Sequence, residues 1–159
     1  MTSVLQRLSV AVLPVIAVAL AGNIVTMPAV PTWYAGLEKP SFSPPNWLFG
    51  PVWTALYAMM AYAAWRILSL PPGIQGRRTA LILFFVQLAL NSAWSFAFFG
   101  FKSPFAALCV ILALIAAIVA TMMRFFALDR IAGILFLPYL AWVLFATTLN
   151  GAIWRLNGP

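Results

Sequence analysis

The sequence predicts an all-α integral membrane protein, a five-transmembrane-helix bundle with a Pro/Trp-rich loop between helices 1 and 2. Two observations carry this prediction. The 159 residues are 65% hydrophobic and only 7% charged, whereas a soluble domain has about 25% charged residues. The apolar residues also fall into stretches of about 20, the length of a helix that crosses a bilayer. Lipid must therefore be the solvent for most of the surface.

The first two spans flank the longest connection. Span 1 is predicted at 8–27, an apolar run that follows Arg7, and span 2 at 45–70, with Pro51 in its early turns. The prolines between the two spans exclude ordinary helix interior. Residues 28–44 are therefore predicted to stay extended.

The other three spans follow at short intervals. Span 3 is predicted at 78–99, after the turn-rich segment PPGIQGRR. Span 4 is predicted at 104–126 after GFKSP, and span 5 at 131–154 after LDR. Short connections place sequence neighbours antiparallel, so residues 1–159 are predicted to form one domain.

The basic residues predict the orientation of the bundle. One side receives six of them, Arg7, Arg66, Arg77, Arg78, Arg124 and Arg130, and the other receives three, Lys39, Lys102 and Arg155. Cytoplasmic loops carry the excess of Lys and Arg. The N-terminus is therefore predicted to be cytoplasmic, with the first connection on the outer side.

The charges exclude several function classes. The net charge of +7 does not indicate a nucleic-acid partner, because the basic residues are scattered over segment ends. The chain has no His, and its two carboxylates, Glu38 and Asp129, lie in loops. The spans thus lack the ionisable group of a proton-driven pump, and no metal site is expected. Cys109 is expected to be a small, buried packing residue.

Polar side chains enter the bilayer on span 3. Gln87, Asn91 and Ser95 recur every four residues and form one stripe of a helix. An amide that faces lipid loses its hydration, so this stripe is predicted to face the bundle interior. It serves either for interhelical hydrogen bonds or, through Asn91, for contact with a ligand carbonyl or ring nitrogen.

The opposite face of span 3 carries small residues, Ala89, Ala93 and Ala97. Small residues at this spacing let helices approach closely. We therefore predict a homodimer through span 3; the alternative is that span 4 of the same chain covers this face.

Aromatic stripes on spans 2 and 5 predict a cavity. Phe49, Trp53 and Tyr57 share one face of span 2, and Trp142 lies one turn after Pro138 on span 5, with Tyr139 beside it. Such stripes serve either core packing or a binding site. Rings with polar tips that converge with Asn91 would form a flat, mostly apolar cavity with few directional groups, as small-molecule sites do.

The connection between spans 1 and 2 is predicted to be a lid. Its prolines, Pro40, Pro44 and Pro45, favour one ordered shape. Its rings, Trp33, Tyr34 and Phe42, would supply an apolar underside. The alternative is a loop of the aromatic belt at the membrane interface.

The most specific motif is WYAGLEKPSFSPPNWLFGPVWTALY at 33–57. It resembles the W-Y-x-x-L-x-K-P-x-[FW]-x-P-P-x-W…P-x-W-T-x-L-Y signature of the TspO/MBR family. This family contains the tryptophan-rich sensory proteins of bacteria and the mitochondrial translocator protein, also called the peripheral benzodiazepine receptor. QLALNSAWSFAFF (87–99) and LFLPYLAWVLFATTLN (135–150) resemble its third and fifth spans. The chain thus resembles a bacterial member of the family.

The resemblance implies a usually dimeric five-helix bundle with a ligand cavity under the first loop. Family members bind porphyrins such as protoporphyrin IX, sterols, and synthetic isoquinoline carboxamides or benzodiazepines. The ligand is thus a tetrapyrrole or another flat hydrophobic molecule, with no obligatory cofactor. By match to the family pattern, the ligand-binding residues are Trp53, Tyr57, Asn91, Phe98, Tyr139, Ala141 and Trp142. Lys39 is the nearest cation for porphyrin carboxylates.

The function implied by the resemblance is binding or translocation of porphyrins in a bacterial membrane, with stress sensing as an extension. One alternative is an enzyme for light-dependent porphyrin breakdown, in which Trp53 and Trp142 would be the cavity tryptophans. Another is a purely structural membrane protein. The run LNGAIWRLN (149–157) lacks the Tyr of the cholesterol-recognition pattern of animal members. Tight cholesterol binding is therefore not predicted.

Overall fold

The computed structural model describes residues 3–158, and every regular element within them is helical. The α-helices are α1 (Val4–Ala29), α2 (Phe49–Ser69), α3 (Arg77–Ser95), α4 (Pro104–Leu128), α5 (Arg130–Ile134) and α6 (Leu137–Asn157). Two short 3₁₀ turns, Tyr34–Gly36 and Asn46–Leu48, lie in the α1–α2 loop, residues 30–48. With α5 and α6 counted as one broken segment, five helical segments match the predicted number.

The helix starts follow from capping side chains. At α1, the Ser3 hydroxyl accepts from the Gln6 N–H at 3.2 Å, and the Gln6 side chain accepts from the Ser3 N–H at 2.8 Å. This reciprocal pair satisfies two donors that a helix start leaves open. Helix α4 begins at Pro104 behind a Ser103 cap, since proline lacks the N–H that a first helical residue does not need.

Helix α3 ends in a wider turn than the sequence predicts. Residues Phe96–Gly100 form a π-helical turn, in which the Phe101 N–H donates to the Phe96 carbonyl at 2.7 Å. Gly100 lies against α1, where an added Cβ would come 3.7 Å from a Val25 methyl carbon. The wide turn changes which side chains point inward, and it buries both Ala97 and Phe98.

The fifth segment is broken, whereas the sequence predicts one helix over 131–154. Helix α5 ends at Ile134 and α6 begins at Leu137. Pro138 has no N–H to donate inside a continuous helix, and it fits the first turn of a new one. The break therefore coincides with the only proline of the segment.

The outer surface of the described chain is apolar. Four segments are long and apolar enough to cross a membrane: Val4–Ala29, Arg77–Gly100, Pro104–Leu128 and Arg130–Asn157. The 21 residues of α2 also reach about 30 Å as a helix, but Trp, Tyr and Arg66 lower its mean hydropathy. Cys109 is exposed on α4, so the expectation that it is buried was wrong. Cys109 therefore lies on the apolar outer surface of α4, which we expect to contact lipid.

The packing order leaves one seam of the bundle less tightly closed. Helix α1 packs on α2 and α3, α3 packs on α4, and α4 packs on α6. The backbones of α2 and α6 do not approach closely, and the two helices meet through large side chains. The size of the side chains at the α2–α6 seam therefore determines the volume left between these two helices.

Arginines complete the end of α2. The Arg77 guanidinium donates to the Ile67 and Leu68 carbonyls at 3.1 and 3.0 Å, and Arg7 donates to the Ser69 carbonyl at 3.4 Å. Carbonyls in the last turn of a helix have no partners in the helix, and cations also favour its negative end.

One ion pair joins α2 to the α4–α5 connection. Arg66 Nη2 lies 2.8 Å from Asp129 Oδ2, and Arg66 Nε lies 3.0 Å from both carboxylate oxygens. The same carboxylate caps α5 by accepting from the Ala132 N–H at 2.9 Å. The hydrogen bonds from Arg66, with help from the Ala132 N–H, hold the pKa of Asp129 below its ordinary value.

We expect Asp129→Asn to lower the free energy of unfolding at neutral pH by about 1–2 kcal/mol, because it removes a charge-assisted pair with Arg66; Asn and Asp are equally good N-cap residues, so the cap of α5 should be kept. The wild-type protein should hold this stability above the ordinary pKa of Asp129 and lose it as the pH falls through the depressed pKa. Urea unfolding in detergent at pH 7 and pH 3 measures both effects. A difference between variant and wild type that stays constant with pH would contradict this assignment.

Candidate ligand-binding site

Four of the predicted ligand-binding residues form one cluster inside the bundle. The Tyr57 hydroxyl donates to Asn91 Oδ1 at 2.8 Å, and Asn91 Nδ2 donates to the Tyr139 hydroxyl at 3.1 Å. The Trp53 ring lies 5.4 Å from the Tyr57 ring and 6.3 Å from the Tyr139 ring. Helices α2, α3 and α6 thus each supply a part of the cluster.

The hydrogen bonds continue deeper into the bundle. The Tyr139 hydroxyl donates to Gln87 Oε1 at 3.0 Å, and Gln87 Nε2 donates weakly to Met60 Sδ at 3.8 Å. Asn91 is only 2% exposed, and Gln87 and Tyr139 are fully buried. This chain of contacts satisfies groups that would otherwise be costly to bury. The Asn91 amide is accordingly occupied by two phenols and keeps one N–H for another partner.

An open apolar groove of about 480 Å³ lies at the α2–α6 seam. We call it the α2–α6 groove. Its wall on α2 is formed by Val52, Ala55, Leu56 and Met59, and its wall on α6 by Pro138, Ala141, Trp142 and Phe145. Both sets follow the i, i+3, i+4, i+7 spacing of one helix face. Two of the predicted ligand-binding residues, Ala141 and Trp142, therefore line it.

Trp142 contributes a polar atom, its indole Nε1, to the residues that line this groove. Its ring packs on Phe49 at 5.8 Å and on Phe145 at 5.5 Å. Its Nε1 atom is buried and has no hydrogen-bond partner within residues 3–158. A buried indole N–H ordinarily finds an acceptor, so this unsatisfied donor belongs to a residue that lines the groove.

Phe98 lies elsewhere, at the loop end of α3. Its ring contacts those of Trp33 at 5.5 Å, Trp94 at 5.4 Å and Phe99 at 4.9 Å, and that of Tyr34 at 6.2 Å. The wide turn Phe96–Gly100 places it there. Phe98 therefore supports the α1–α2 loop rather than lining the α2–α6 groove.

Three rings of the α1–α2 loop contact rings of the bundle, whereas Trp47 is exposed. Trp33 and Tyr34 pack on the Phe98 region, and Phe42 packs on Phe145 at 6.4 Å. Lys39 folds back over the loop: its Nζ donates to the Leu37 carbonyl at 3.1 Å and lies 4.7 Å from the centre of the Tyr34 ring. The predicted prolines flank Phe42: Pro40 precedes it, and Pro44 and Pro45 follow it.

The sequence profile of the TspO/MBR family matches residues 10–155. The chain belongs to the TspO/MBR family. The tryptophan-rich protein TspO of Archaeoglobus fulgidus is 44% identical over 95% of this chain and 97% of its own length. The tryptophan-rich sensory protein of Cereibacter sphaeroides is 44% identical over 79% of this chain and 77% of its own length. The translocator protein of Homo sapiens is 42% identical over 79% of this chain and 75% of its own length.

Membership in the TspO/MBR family, together with the apolar helices, identifies a multi-pass membrane protein with a TspO-type function. The site described above is made of rings and amides. Within residues 3–158, no three side chains of His, Cys, Asp or Glu come together to hold a metal ion.

Sequence reasoning missed several residues of this TspO/MBR bundle. It did not single out Val52, Met59 or Phe145, although the helical spacing of both groove walls is visible in the sequence. It also missed Asn150, which is 2% exposed, accepts from Trp94 Nε1 at 3.1 Å and donates to the Pro104 carbonyl at 2.7 Å. A single Asn in the last third of an apolar span was the available signal.

The predicted dimer face is only partly exposed. Ala89 and Ala93 are exposed, whereas Ala97 is buried at 6% exposure. The first two border a second apolar groove of about 800 Å³ between α1, α3 and α4. Helix α4 of the same chain therefore leaves part of this face open.

Proposed function

We propose that the chain binds flat, mostly apolar molecules of the tetrapyrrole class in the α2–α6 groove, as a membrane binding or translocator protein. The observation that carries this proposal is the groove itself. Two apolar helix faces wall it, and the unpaired Trp142 N–H is its directional group. Its volume of about 480 Å³ falls within the usual range of small-molecule sites.

The chemistry of the walls suits a planar guest. Indole and phenyl rings stack on flat conjugated systems, and such pairs contribute about 0.5–1.5 kcal/mol beyond burial. Burying roughly 200 Å² of apolar ligand surface adds about 5 kcal/mol before ordering costs are subtracted. A molecule with an acceptor atom near Trp142 also satisfies the buried N–H.

The carboxylates of a porphyrin would lie at the loop end of the groove. The eight groove residues include no cation, so charged groups gain nothing by entering between α2 and α6. Lys39 lies in the α1–α2 loop, and its contacts are backbone carbonyls and one ring. Exchanging these carbonyls for a carboxylate would extend the site to the loop, which then acts as a lid.

The names of relatives support a role in transport or sensing. Two relatives are named translocator protein and tryptophan-rich sensory protein. We extend both ideas to this chain as part of the proposal. The exposed Ala89 and Ala93 also support a homodimer through α3, which native mass spectrometry would detect. The six-to-three distribution of basic residues supports a cytoplasmic N-terminus.

The test is a titration of protoporphyrin IX and its dimethyl ester into the protein in lipid nanodiscs. We expect saturable binding of both compounds at one site per chain, seen as a shift of the Soret band and as tryptophan quenching. The ester should bind within about fivefold of the acid, because the groove walls carry no cation. Empty nanodiscs are the control. Absence of saturation for both compounds would overturn the proposal.

A further inference from the structure

The middle of the α1–α2 loop is fastened to the bundle at one residue. The Glu38 N–H donates to Asn157 Oδ1 at 2.9 Å, and Asn157 Nδ2 donates back to the Glu38 carbonyl at 2.9 Å. In the described chain, these are the only hydrogen bonds that join residues 33–45 to anything outside the loop. The remaining attachments are ring contacts.

The Asn157 side chain uses both of its N–H donors and its oxygen. An amide offers two N–H donors and an acceptor oxygen. One N–H reaches the Glu38 carbonyl, and Nδ2 also donates to the Ile153 carbonyl at 2.8 Å, one turn back on α6. The bond to its own helix fixes the amide in the orientation that receives the loop. The Asn157 amide thus bonds to both the N–H and the carbonyl of Glu38, the same pair of backbone groups that a neighbouring β-strand would engage.

The fastened residue is close in sequence to a ring that contacts the groove wall. Four residues after Glu38, Phe42 packs on Phe145, which lines the α2–α6 groove. Pro40 stands between them and removes rotational freedom from the connecting backbone. Releasing Glu38 from Asn157 would therefore free the segment that carries Phe42.

We propose that Asn157 is a latch that sets how fast a ligand enters and leaves the α2–α6 groove. This inference rests on the proposed function. Asn157 acts through the loop, so it is a positioning residue. If the same closed loop covers the empty and the occupied groove, a weaker latch raises the open fraction of both. The association and dissociation rate constants then rise together, and Kd stays nearly constant.

The experiment compares Asn157→Ala with two controls, Glu38→Ala and Asn46→Ala. Glu38 contributes only its backbone to the latch, and Asn46 is an exposed loop residue without a side-chain hydrogen bond in the structure. Stopped-flow measurement of the Soret shift gives both rate constants for protoporphyrin IX in nanodiscs. Hydrogen–deuterium exchange of residues 37–45 in ligand-free protein reports loop opening independently of ligand.

We expect Asn157→Ala to raise both rate constants and the loop exchange rate by about tenfold, the equivalent of one or two ordinary hydrogen bonds. Kd should change by less than about twofold, and the Tm should stay the same. Glu38→Ala and Asn46→Ala should match the wild type. A second variant, Glu38→Pro, removes the N–H that donates to Asn157, and its effect should not add to that of Asn157→Ala.

The outcomes separate the latch from the proposed function. Faster loop exchange in Asn157→Ala, in a protein that binds no protoporphyrin IX, would support the latch and overturn the proposed function. Unchanged loop exchange would overturn the latch, whatever the binding. A fall in Tm with a weaker Kd and an unchanged association rate would show a structural role and overturn the gating claim.

Discussion

Trp142→Ala is expected to weaken protoporphyrin IX binding by about 30-fold or more, while the bundle stays folded. Truncating a tryptophan that anchors a binding surface typically costs at least about 2 kcal/mol. Trp142 supplies both a ring wall of the groove and its unpaired donor. The Soret shift should be used for the titration, since the substitution removes part of the tryptophan signal.

Two further variants sharpen this prediction. Trp154→Ala removes a tryptophan from the same helix that packs on Phe105 at 5.3 Å, away from the groove, and it should bind within about twofold of the wild type. Trp142→Phe keeps a ring and loses the N–H, so a loss of about three- to tenfold is expected. Equal losses in Trp142→Ala and Trp154→Ala would show a general effect on folding instead of a contact with ligand.

The second large effect is expected for Asn91→Ala, which should lower the free energy of unfolding by about 1–3 kcal/mol. It would leave the Tyr57 hydroxyl without its acceptor and the Tyr139 oxygen without its donor in a buried place. Hydrogen bonds between membrane helices average about 0.6 kcal/mol, so most of the loss reflects unsatisfied groups. Unfolding by sodium dodecyl sulfate, followed by circular dichroism, measures it.

Asn23→Ala is the matched control for this prediction. Asn23 lies exposed in α1 and has no side-chain hydrogen bond within the described residues, so its loss should change the unfolding free energy by less than about 0.5 kcal/mol. The double variant Asn91→Ala with Tyr57→Phe should be less destabilised than the sum of the single variants. Strict additivity would contradict the direct hydrogen bond between the two side chains.

The helices were predictable because their length and apolar content are local properties. The boundary that failed, at Leu135–Phe136, depends on where Pro138 sits relative to a helix start. The wide turn at Phe96–Gly100 was not predictable either. The hydrogen bond from the Phe101 N–H to the Phe96 carbonyl defines this turn, and the apolar run in which it lies carries no local signal for it.

The polar cluster also has one part that the local sequence predicts and one part that only the tertiary structure determines. The four-residue spacing of Gln87 and Asn91 predicted one inward face, and the structure confirms that both amides are buried. Which groups would bond to them was left open between other helices and a ligand. The answer is Tyr57 and Tyr139, from two other helices, and only the tertiary arrangement brings these phenols within reach.

The α1–α2 loop was the hardest part to interpret from sequence. Its prolines and rings predicted an ordered cover with an apolar underside, and the rings of Trp33, Tyr34 and Phe42 do pack on the helices. The partner of its backbone, Asn157, lies 119 residues away in a terminal stretch with no motif of its own. Hydrogen bonds at such separation leave no periodic signal.

The loosely closed α2–α6 seam also bears on how such a chain diversifies. Because the other helix pairs hold the bundle together, exchanges among small and medium side chains at Ala55, Met59 or Ala141 alter the space for a guest without disturbing those pairs. Under the proposed function, selectivity for a ligand would thereby be separated from folding. Substitutions at this seam, in evolution or in a laboratory library, would then be expected to change which pigments bind while the fold stays the same.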